Sequence, residues 1–368
     1  SGGGIGMCLT IINYIEKLSL NNFIIITTYR STSDLLSKKY NIKNYFYDKN
    51  NFFNKFINFI FKSKIVPVSS FESYLKKLKI DEIFFLSPSY LNMLIKKINY
   101  IYTVWDLSHL KENLINLPEH DIDTRRVRDR AYKEASNKAK FIIIGTAENK
   151  NFFINHYKCN SSKMKVIKFL PFICRLNYKE KNINNREKKH KNYILYPAQY
   201  WEHKNHKFLI DFFDEYNLDY KISNISLICT GHDKGRLQYL KKLIEKKNLI
   251  KKITLLNYVS DEELAELYKN SIAVVFPSYI GSHSFPLYEA FYFRKPVFYN
   301  QDILSKEFQD LVYLINIQSK KSLYDKICLM IEDKKQKDKI INNAEKKFFE
   351  IFNEQKIVEQ LKTVLIDS

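Results

Sequence analysis

The sequence predicts an α/β protein of two doubly wound domains that face each other across a cleft, followed by C-terminal helices. Three observations predict this fold. The chain has 368 residues, enough for two domains that each bury a core. Short apolar segments rich in β-branched residues alternate with helical patterns in both halves. A charged segment without glycine, residues 178–192, separates the halves and predicts a linker.

The N-terminal domain is predicted to span residues 1–177. Its glycine cluster, with Gly3 and Gly4, leads directly into a helical pattern. Such a loop normally follows a strand, so we expect a first strand to be missing from this sequence. The glycines either let the backbone approach a ligand closely or form a flexible start without function. The predicted strands of this domain are 23–28, 83–86, 101–104, 141–144 and 165–170.

Two polar residues follow the strand 101–104. Asp106 and His109 come just past its carboxyl end, where functional residues usually lie in an open α/β sheet. Either residue could instead cap the next segment.

The C-terminal domain is predicted to span residues 193–345, and a final helix, 346–368, is expected to pack back toward the N-terminal domain. Ser260 and Glu263 have the spacing of a capping box at a helix start. The predicted strands are 193–196, 225–229, 253–256, 272–276 and 297–299.

The stretch 271–300 predicts an anion site. An apolar strand ends at Pro277, a small polar turn follows, and Pro286 can open a helix because the first turn leaves its missing N–H unpaired anyway. A polar loop between a strand and a helix N-terminus binds anions at the carboxyl edge of a parallel sheet. The backbone N–H groups of Ser284, Phe285 and Leu287 would point at the ligand.

Glu289 follows in the same helix and would accept protons from hydroxyl groups such as those of a ribose. The alternative is a structural crossover that carries a surface glutamate.

The formal net charge of +20 suggests a polyanionic partner. The lysines are spread along the whole chain together with abundant Asn, Ile, Tyr and Phe, a drift typical of biased nucleotide composition, so we disfavour nucleic acid. Nucleotide diphosphates and acidic membrane surfaces remain as candidate polyanionic partners. Five isolated cysteines argue against a disulfide framework or a zinc site and favour a reducing compartment. With no transmembrane-length apolar segment or signal peptide, we expect a cytoplasmic protein.

The segment 40–68 is rich in aromatic residues and lysines. Phe52, Phe56 and Lys62 belong to a pattern that fits a basic amphipathic helix on the inner face of the membrane. A core-facing helix with a solvated lysine side explains the same pattern and is the interpretation we favour.

Three motifs of the C-terminal half resemble those of a known protein family. They are YPAQYWEHKNH (196–206), YVSDEEL (258–264) and FPS with FPLYEA (276–290). Over nearly its whole length the chain resembles a retaining glycosyltransferase of family 4 with the GT-B fold. It most resembles the bacterial members that build lipopolysaccharide O-chains and related surface glycans.

The resemblance implies roles for individual residues. Lys204 would pair with the diphosphate of the donor, and Glu289 matches the glutamate that holds the nucleotide ribose. The remaining implied contacts are Tyr258 and Val259 at the base, Gly231 beneath the nucleotide, Gly3 and Gly4 facing the diphosphate, and Asp106 and His109 on the acceptor side near the transferred sugar.

The sequence departs from the family pattern at three positions. The family's first glutamate, which contacts the sugar hydroxyls, falls at Gly281, and the usual donor-binding arginine falls at Gln199. Trp105 stands where many members have a histidine. His283 or Ser284 would have to take over the sugar contact.

The resemblance implies transfer of a hexose, with mannose among the candidates, from a nucleotide diphosphate sugar to a glycan or lipid-linked acceptor with retention. Lys204 and the N–H groups ahead of Pro286 would stabilise the charge on the departing phosphate. No second carboxylate is placed for a double displacement, so we expect a front-face route without a metal ion or a cofactor.

Three other functions stay open. A nucleotide-sugar epimerase can have the same fold. A non-catalytic partner in a glycan-assembly complex would explain Gly281 and a missing first strand. A nucleic-acid binder would show steeply salt-dependent binding.

Overall fold

The computed structural model describes residues 3–18, 23–39, 43–48, 69–110, 122–175, 192–281 and 285–366. The chain divides into two compact units. The C-terminal unit contains Leu170–Asn353 with Ser1–Thr10, and the N-terminal unit contains Ile11–Asn116, His120–Phe169 and Glu354–Ser368. Of the predicted linker, residues 178–191 lie outside the described residues, so the domain limits stay predictions. Residues 49–68, most of the predicted amphipathic segment, lie outside them too.

The described regular elements alternate along most of the chain. The strands are β1 (Ile25–Thr27), β2 (Asn44–Phe46), β3 (Glu82–Phe85), β4 (Asn99–Val104), β5 (Phe141–Ile144), β6 (Met164–Val166), β7 (Tyr193–Pro197), β8 (Ser226–Thr230), β9 (Ile253–Leu256), β10 (Ala273–Phe276), β11 (Val297–Asn300) and β12 (Tyr313–Ile315). The helices are α1 (Gly3–Lys17), α2 (Arg30–Lys39), α3 (Ser70–Lys77), α4 (Ile122–Lys138), α5 (Ala147–Tyr157), α6 (His206–Tyr216), α7 (Leu237–Lys246), α8 (Asp261–Asn270), α9 (Phe285–Tyr292), α10 (Lys320–Glu332), α11 (Lys334–Ile351) and α12 (Glu354–Leu365).

The N-terminal unit contains a four-stranded parallel sheet in the order β3-β4-β5-β6 and a separate parallel pair, β1-β2. Strand β5 is a run of apolar residues because both faces of a parallel sheet are covered. Its neighbours in the core include the fully buried rings of Tyr100, Tyr102, Tyr132 and Phe153.

The C-terminal unit contains a six-stranded parallel sheet in the order β12-β11-β10-β7-β8-β9. The chain runs outward from β7 in one direction and then, starting with β10, in the other. The strand order therefore reverses between β7 and β10, which pair at Ile194 with Ala273 and at Leu195 with Val274. Ligands bind at such a switch point, beyond the carboxyl ends of the two strands. The fold therefore indicates that the loops after β7 and β10 border a ligand site.

Local sequence signals account for the helices around this switch point. The predicted capping box is confirmed at α8, where Ser260 Oγ accepts from Glu263 N and Glu263 Oε2 accepts from Ser260 N. Helix α9 begins at Phe285, so Pro286 lies in its first turn as predicted.

Some sequence predictions of individual elements are wrong. Gly3 and Gly4 do not form a loop and are the first two residues of α1. The buried side chains of Leu9, Ile12 and Ile15 stabilise that helix against a glycine cost of about 1 kcal/mol per residue. The predicted long helix from 334 to 366 is interrupted between Ile351 and Glu354. The prediction also missed β2 and β12, three residues each.

Among the described residues, no helix combines the length and the apolar character needed to cross a bilayer.

Candidate functional site

The loops that follow β7 and β10 are joined by hydrogen bonds. Tyr279 N donates to His203 O over 2.9 Å, and Asn205 Nδ2 donates to Pro277 O over 3.2 Å. The turn that contains Lys204 therefore lies against the loop that leads to α9, at the switch point of the sheet.

Lys204 ends the short 3₁₀ helix Glu202–Lys204 and is half-buried. The next residue, Asn205, has a φ of 54°, and this left-handed conformation turns the chain into α6. Tyr196, fully buried on β7, donates to Lys204 O over 2.6 Å and lies 3.0 Å from Ser278 Oγ. The hydroxyl group of Tyr196 therefore hydrogen-bonds to both loops.

His206 packs directly beneath this turn. Its ring lies between those of Tyr196 and Tyr200, with centroids 4.7 and 4.9 Å away. Burial, and then the positive charge of Lys204, lower the pKa of His206 to about 3. The imidazole is therefore neutral near pH 7, and it adds no charge below Lys204.

Gly231 allows the loops after β7 and β8 to touch. A Cβ atom at this position would lie 2.4 Å from Ala198 O and 2.7 Å from Gln199 Cα. Because such distances are too short for real Cβ contacts, the position requires glycine for packing. Its contact with the nucleotide stays a prediction.

Gln199 lies at the carboxyl end of β7, and its side chain is half-buried. Trp201 Nε1 donates to Gln199 Oε1 over 2.8 Å. Lys234, on the loop after β8, places its ammonium group 5.3 Å from the centre of the Trp201 ring.

Tyr258, on the loop after β9, has an exposed ring (48 %) that stacks on His232 with centroids 4.7 Å apart and planes 11° apart. Val259 beside it is half-buried. An exposed aromatic face at the carboxyl edge of the sheet can stack on a planar ligand group.

Glu289 lies in α9 and is buried. Tyr268 on α8 donates a hydrogen bond to its Oε2 over 2.8 Å. Burial raises the pKa of Glu289 to about 7, with Asp261 acting in the same direction and the Tyr268 hydrogen bond opposing them. Among the described residues, none donates to Oε1, so this oxygen remains able to accept from a ligand hydroxyl.

The first turn of α9 carries the predicted amide donors. Phe285 and Pro286 are half-buried and Leu287 is fully buried. The other predicted donor, Ser284, lies outside the described residues together with His283. Gly281, which precedes this gap, has a φ of 111°, and its carbonyl oxygen accepts a hydrogen bond from Tyr299 Oη.

The remaining predicted residues lie in other surroundings. Asp106 Oδ2 accepts from Arg128 over 2.6 Å. His109 is 2 % exposed, and its ring meets that of Tyr132 edge-on at 5.2 Å. Burial is the main reason that the pKa of His109 falls to about 4. These contacts explain both residues structurally, and their acceptor-side roles stay predictions.

Gly3 and Gly4 contribute backbone to the first turn of α1. Their predicted contact with the diphosphate stays a prediction as well. Over the described ranges, no group of three or more His, Cys, Asp or Glu side chains has the arrangement to hold a metal ion.

Sequence reasoning missed three residues that position the site: Tyr196, Trp201 and Tyr268. Tyr268 ends the buried face of α8, and its partner Glu289 is 21 residues away in the chain. Of the three contacts, only that of Trp201 could have been predicted from the sequence, because an indole N–H two residues from a glutamine can find its acceptor locally.

Comparisons with known proteins give a family match for the C-terminal part of the chain. Residues 177–347 match the family model described as glycosyl transferases group 1. No curated protein matches the chain significantly in sequence.

Solved structures resemble this chain in fold over most or all of its length. HepE from Anabaena, solved in complex with UDP and glucose, is 16 % identical with a TM-score of 0.72, covering 100 % of this chain and 96 % of its own. A glycosyltransferase from Rickettsia africae ESF-5 is 18 % identical with a TM-score of 0.67, covering 100 % and 96 %. WaaG, a glycosyltransferase involved in lipopolysaccharide biosynthesis, is 16 % identical with a TM-score of 0.61, covering 81 % of each chain. The chain therefore has the GT-B fold of glycosyltransferases, and its residues 177–347 carry the sequence pattern of glycosyl transferases group 1.

Proposed function

We propose that this protein is a retaining glycosyltransferase of family 4. It transfers a hexose from a nucleotide diphosphate sugar to a glycan or lipid-linked acceptor in the synthesis of bacterial surface polysaccharide. One observation carries the proposal: at the switch point of a doubly wound sheet, the Lys204 turn is hydrogen-bonded to the loop that leads into α9. This is where a ligand binds in such sheets.

The chemistry of these groups suits a diphosphate leaving group. As the sugar departs, negative charge gathers on the phosphate. The ammonium group of Lys204 and the backbone N–H groups at the start of α9 would stabilise that charge without reorganising. Glu289 would accept a ribose hydroxyl on Oε1, while Tyr268 holds Oε2.

Retention of configuration is proposed through a front-face route, with the departing phosphate as base. In the described part of the site, the Glu289 carboxyl is bonded to Tyr268 within the core of the C-terminal unit, which suits ribose binding better than attack on the sugar. The route needs neither a metal ion nor a further cofactor in this proposal.

The neighbours suggest the first donor to test. HepE has been solved with UDP-glucose, so UDP-glucose heads the panel of donors. WaaG, which acts in lipopolysaccharide biosynthesis, supports the proposed surface-glycan role. None of the five cysteines, all of which are among the described residues, forms a disulfide bond, and four of them are buried. This supports the proposed cytoplasmic location, with peripheral contact at the inner membrane face.

Calorimetric titration tests the proposal. The full chain is titrated with UDP-, GDP- and ADP-sugars, each with and without magnesium. We expect one nucleotide class to bind with and without the metal, and the product made from it to keep the anomeric configuration of the donor by NMR. Failure of every nucleotide sugar to bind would overturn the proposal, and an inverted product would overturn its retaining mechanism.

A second candidate is a non-catalytic partner in a glycan-assembly complex. Gly281 favours it, because no side chain is available there to contact the sugar. Hydrolysis of a bound donor by the purified chain would exclude this candidate. Binding without hydrolysis or transfer would favour it.

A further inference from the structure

Gln199 and Trp201, on the loop after β7, are joined by two hydrogen bonds. The indole Nε1 donates to Gln199 Oε1 over 2.8 Å, and the main-chain N of Trp201 donates to Gln199 O over 2.8 Å. The side-chain contact and the backbone contact lie within one turn of the chain, so the tryptophan is anchored beside the glutamine that it bonds.

The chemistry of the indole fixes the orientation of the amide. An indole N–H can only donate, so the amide atom that faces it must be the carbonyl oxygen. The amide nitrogen is then turned the other way, with two N–H donors. Among the described residues, none accepts a hydrogen bond from Gln199 Nε2, and the side chain is only half-buried.

The backbone around Gln199 is held on its second side by the loop after β8. Tyr200 N donates to His232 O over 3.1 Å. The Cα of Gln199 lies 2.7 Å from the point where a Cβ on Gly231 would lie, which is how closely the two loops approach. The main chain of Gln199 is therefore held close to the loop after β8, and the direction of its side chain depends on its own torsions.

The indole is also held at its ring face. Lys234 Nζ lies 5.3 Å from the Trp201 ring centre, and the His203 ring lies parallel to it within 21° at 6.3 Å. Glu202 and Arg236 form an ion pair of 2.5 Å between the same two loops. These contacts keep the indole in place and leave its N–H for Gln199.

We propose that Trp201 is a positioning residue that holds the Gln199 amide with Nε2 toward a phosphate oxygen of the donor diphosphate, beside Lys204. The inference rests on the proposed function and assigns a contact within that site. Without the indole, the amide can turn over and present its carbonyl oxygen to the phosphate, which repels it. Hydrogen bonds to charged groups are strong enough that losing one weakens binding about tenfold or more.

A double-mutant cycle tests this role. The probes are whichever of UDP, GDP or ADP binds the unaltered chain most tightly, by calorimetry, and inorganic pyrophosphate in competition with it. Trp201→Phe keeps an aromatic ring for Lys234 and His203, although a smaller one, and removes the N–H donor. We expect Trp201→Phe and Gln199→Ala each to weaken both probes by about tenfold, and the double variant to be no weaker than Gln199→Ala.

Gln238→Ala is the matched control, because Gln238 is an exposed glutamine on α7. It should bind both probes as the unaltered chain does, and the thermal midpoints of all variants should show that they are folded.

Three results would overturn the inference while the proposed function stands. They are unchanged binding by Trp201→Phe, additive losses in the double variant, and a loss seen with the nucleotide but not with pyrophosphate. If the unaltered chain binds neither probe, the proposed function fails, and this inference with it.

Discussion

The hydroxyl of Tyr268 donates to Glu289 Oε2 over 2.8 Å, and both side chains are buried in the C-terminal unit. Burial outweighs this hydrogen bond and raises the pKa of Glu289 to about 7. The pKa of Tyr268 is raised well above its usual value, mainly by burial and then by the glutamate, so the phenol stays a donor. The carboxyl group of this pair therefore changes charge near neutral pH.

This pair predicts that stability falls as the pH rises. The pKa of Glu289 is about 7 in the folded chain against an ordinary 4.5, so the folded state binds more protons between these values. Stability is full below about pH 4.5 and is lost as the pH passes 7, by about 3 kcal/mol. Glu289→Gln, which cannot ionise, should gain that amount over the unaltered chain between pH 4.5 and pH 8, measured by urea unfolding.

The comparison with Glu263→Gln controls for a general effect of removing a carboxylate, because Glu263 lies exposed at the start of α8. A constant difference between Glu289→Gln and the unaltered chain over the whole pH range would contradict the shifted titration.

Lys204→Ala should slow transfer about a hundredfold, mainly in kcat. The reason is that the lysine is proposed to stabilise charge that appears on the leaving phosphate, and one such donor is worth about 3 kcal/mol. The measurement is steady-state turnover with the donor identified by calorimetry. Lys207→Ala is the control, because Lys207 is exposed on α6 and pairs with Asp211. Full turnover by Lys204→Ala would reject the assigned role.

Gly231→Ala should destabilise the chain, because the new methyl group would lie 2.4 Å from Ala198 O. Backbone on both sides must shift to admit it, and overpacking of this kind costs about 1–3 kcal/mol. The loss is measured as a lower thermal midpoint. Gly145→Ala is a matched control, since nothing lies within 4 Å of a Cβ there. Equal midpoints for the two variants would show that the loops after β7 and β8 are not in tight contact.

His206→Phe should make the chain more tolerant of acid. The pKa of His206 is about 3 in the folded chain against an ordinary 6.5, so the unfolded state binds more protons between these values. Stability is therefore lost as the pH falls, by about 2 kcal/mol between pH 6.5 and pH 5. Urea unfolding at both pH values should show that phenylalanine removes this loss.

His156→Gln, at a side chain that is 44 % exposed, should keep the acid sensitivity of the unaltered chain. The same sensitivity in His206→Phe would mean that another group causes it.

Much of the fold was predictable because continuous apolar runs report buried parallel strands. The predicted limits of β5 and β9 agree with the structure at every residue. Strands β2 and β12 were missed because three residues are too few to show a period. The glycine start was misjudged because the burial of α1, a tertiary effect, outweighs the low helix propensity of glycine.

The site was predictable only in part. The sequence predicted that the loop with Phe285 lies at the carboxyl edge of a parallel sheet, and the structure places it there. The role of Lys204 was implied by the family resemblance, and the structure places its turn after the neighbouring strand β7. The side chains that hold these loops act across long distances in sequence. Tyr196 bonds to Ser278, 82 residues away, and such a pairing depends on how the strands are ordered. The periodicity and the spacing of residues in the sequence do not reveal the order of strands in the sheet.

The position of Tyr196 has a consequence for efforts to change donor preference. Its hydroxyl group hydrogen-bonds to both the turn after β7 and the loop after β10. Side chains at the rim, such as Gln199 and Tyr258, can then be exchanged without altering how Lys204 is aligned. A library that varies the rim and keeps Tyr196 will sample new contacts to the nucleotide diphosphate of the donor, whereas one that randomises Tyr196 will mostly sample misaligned sites.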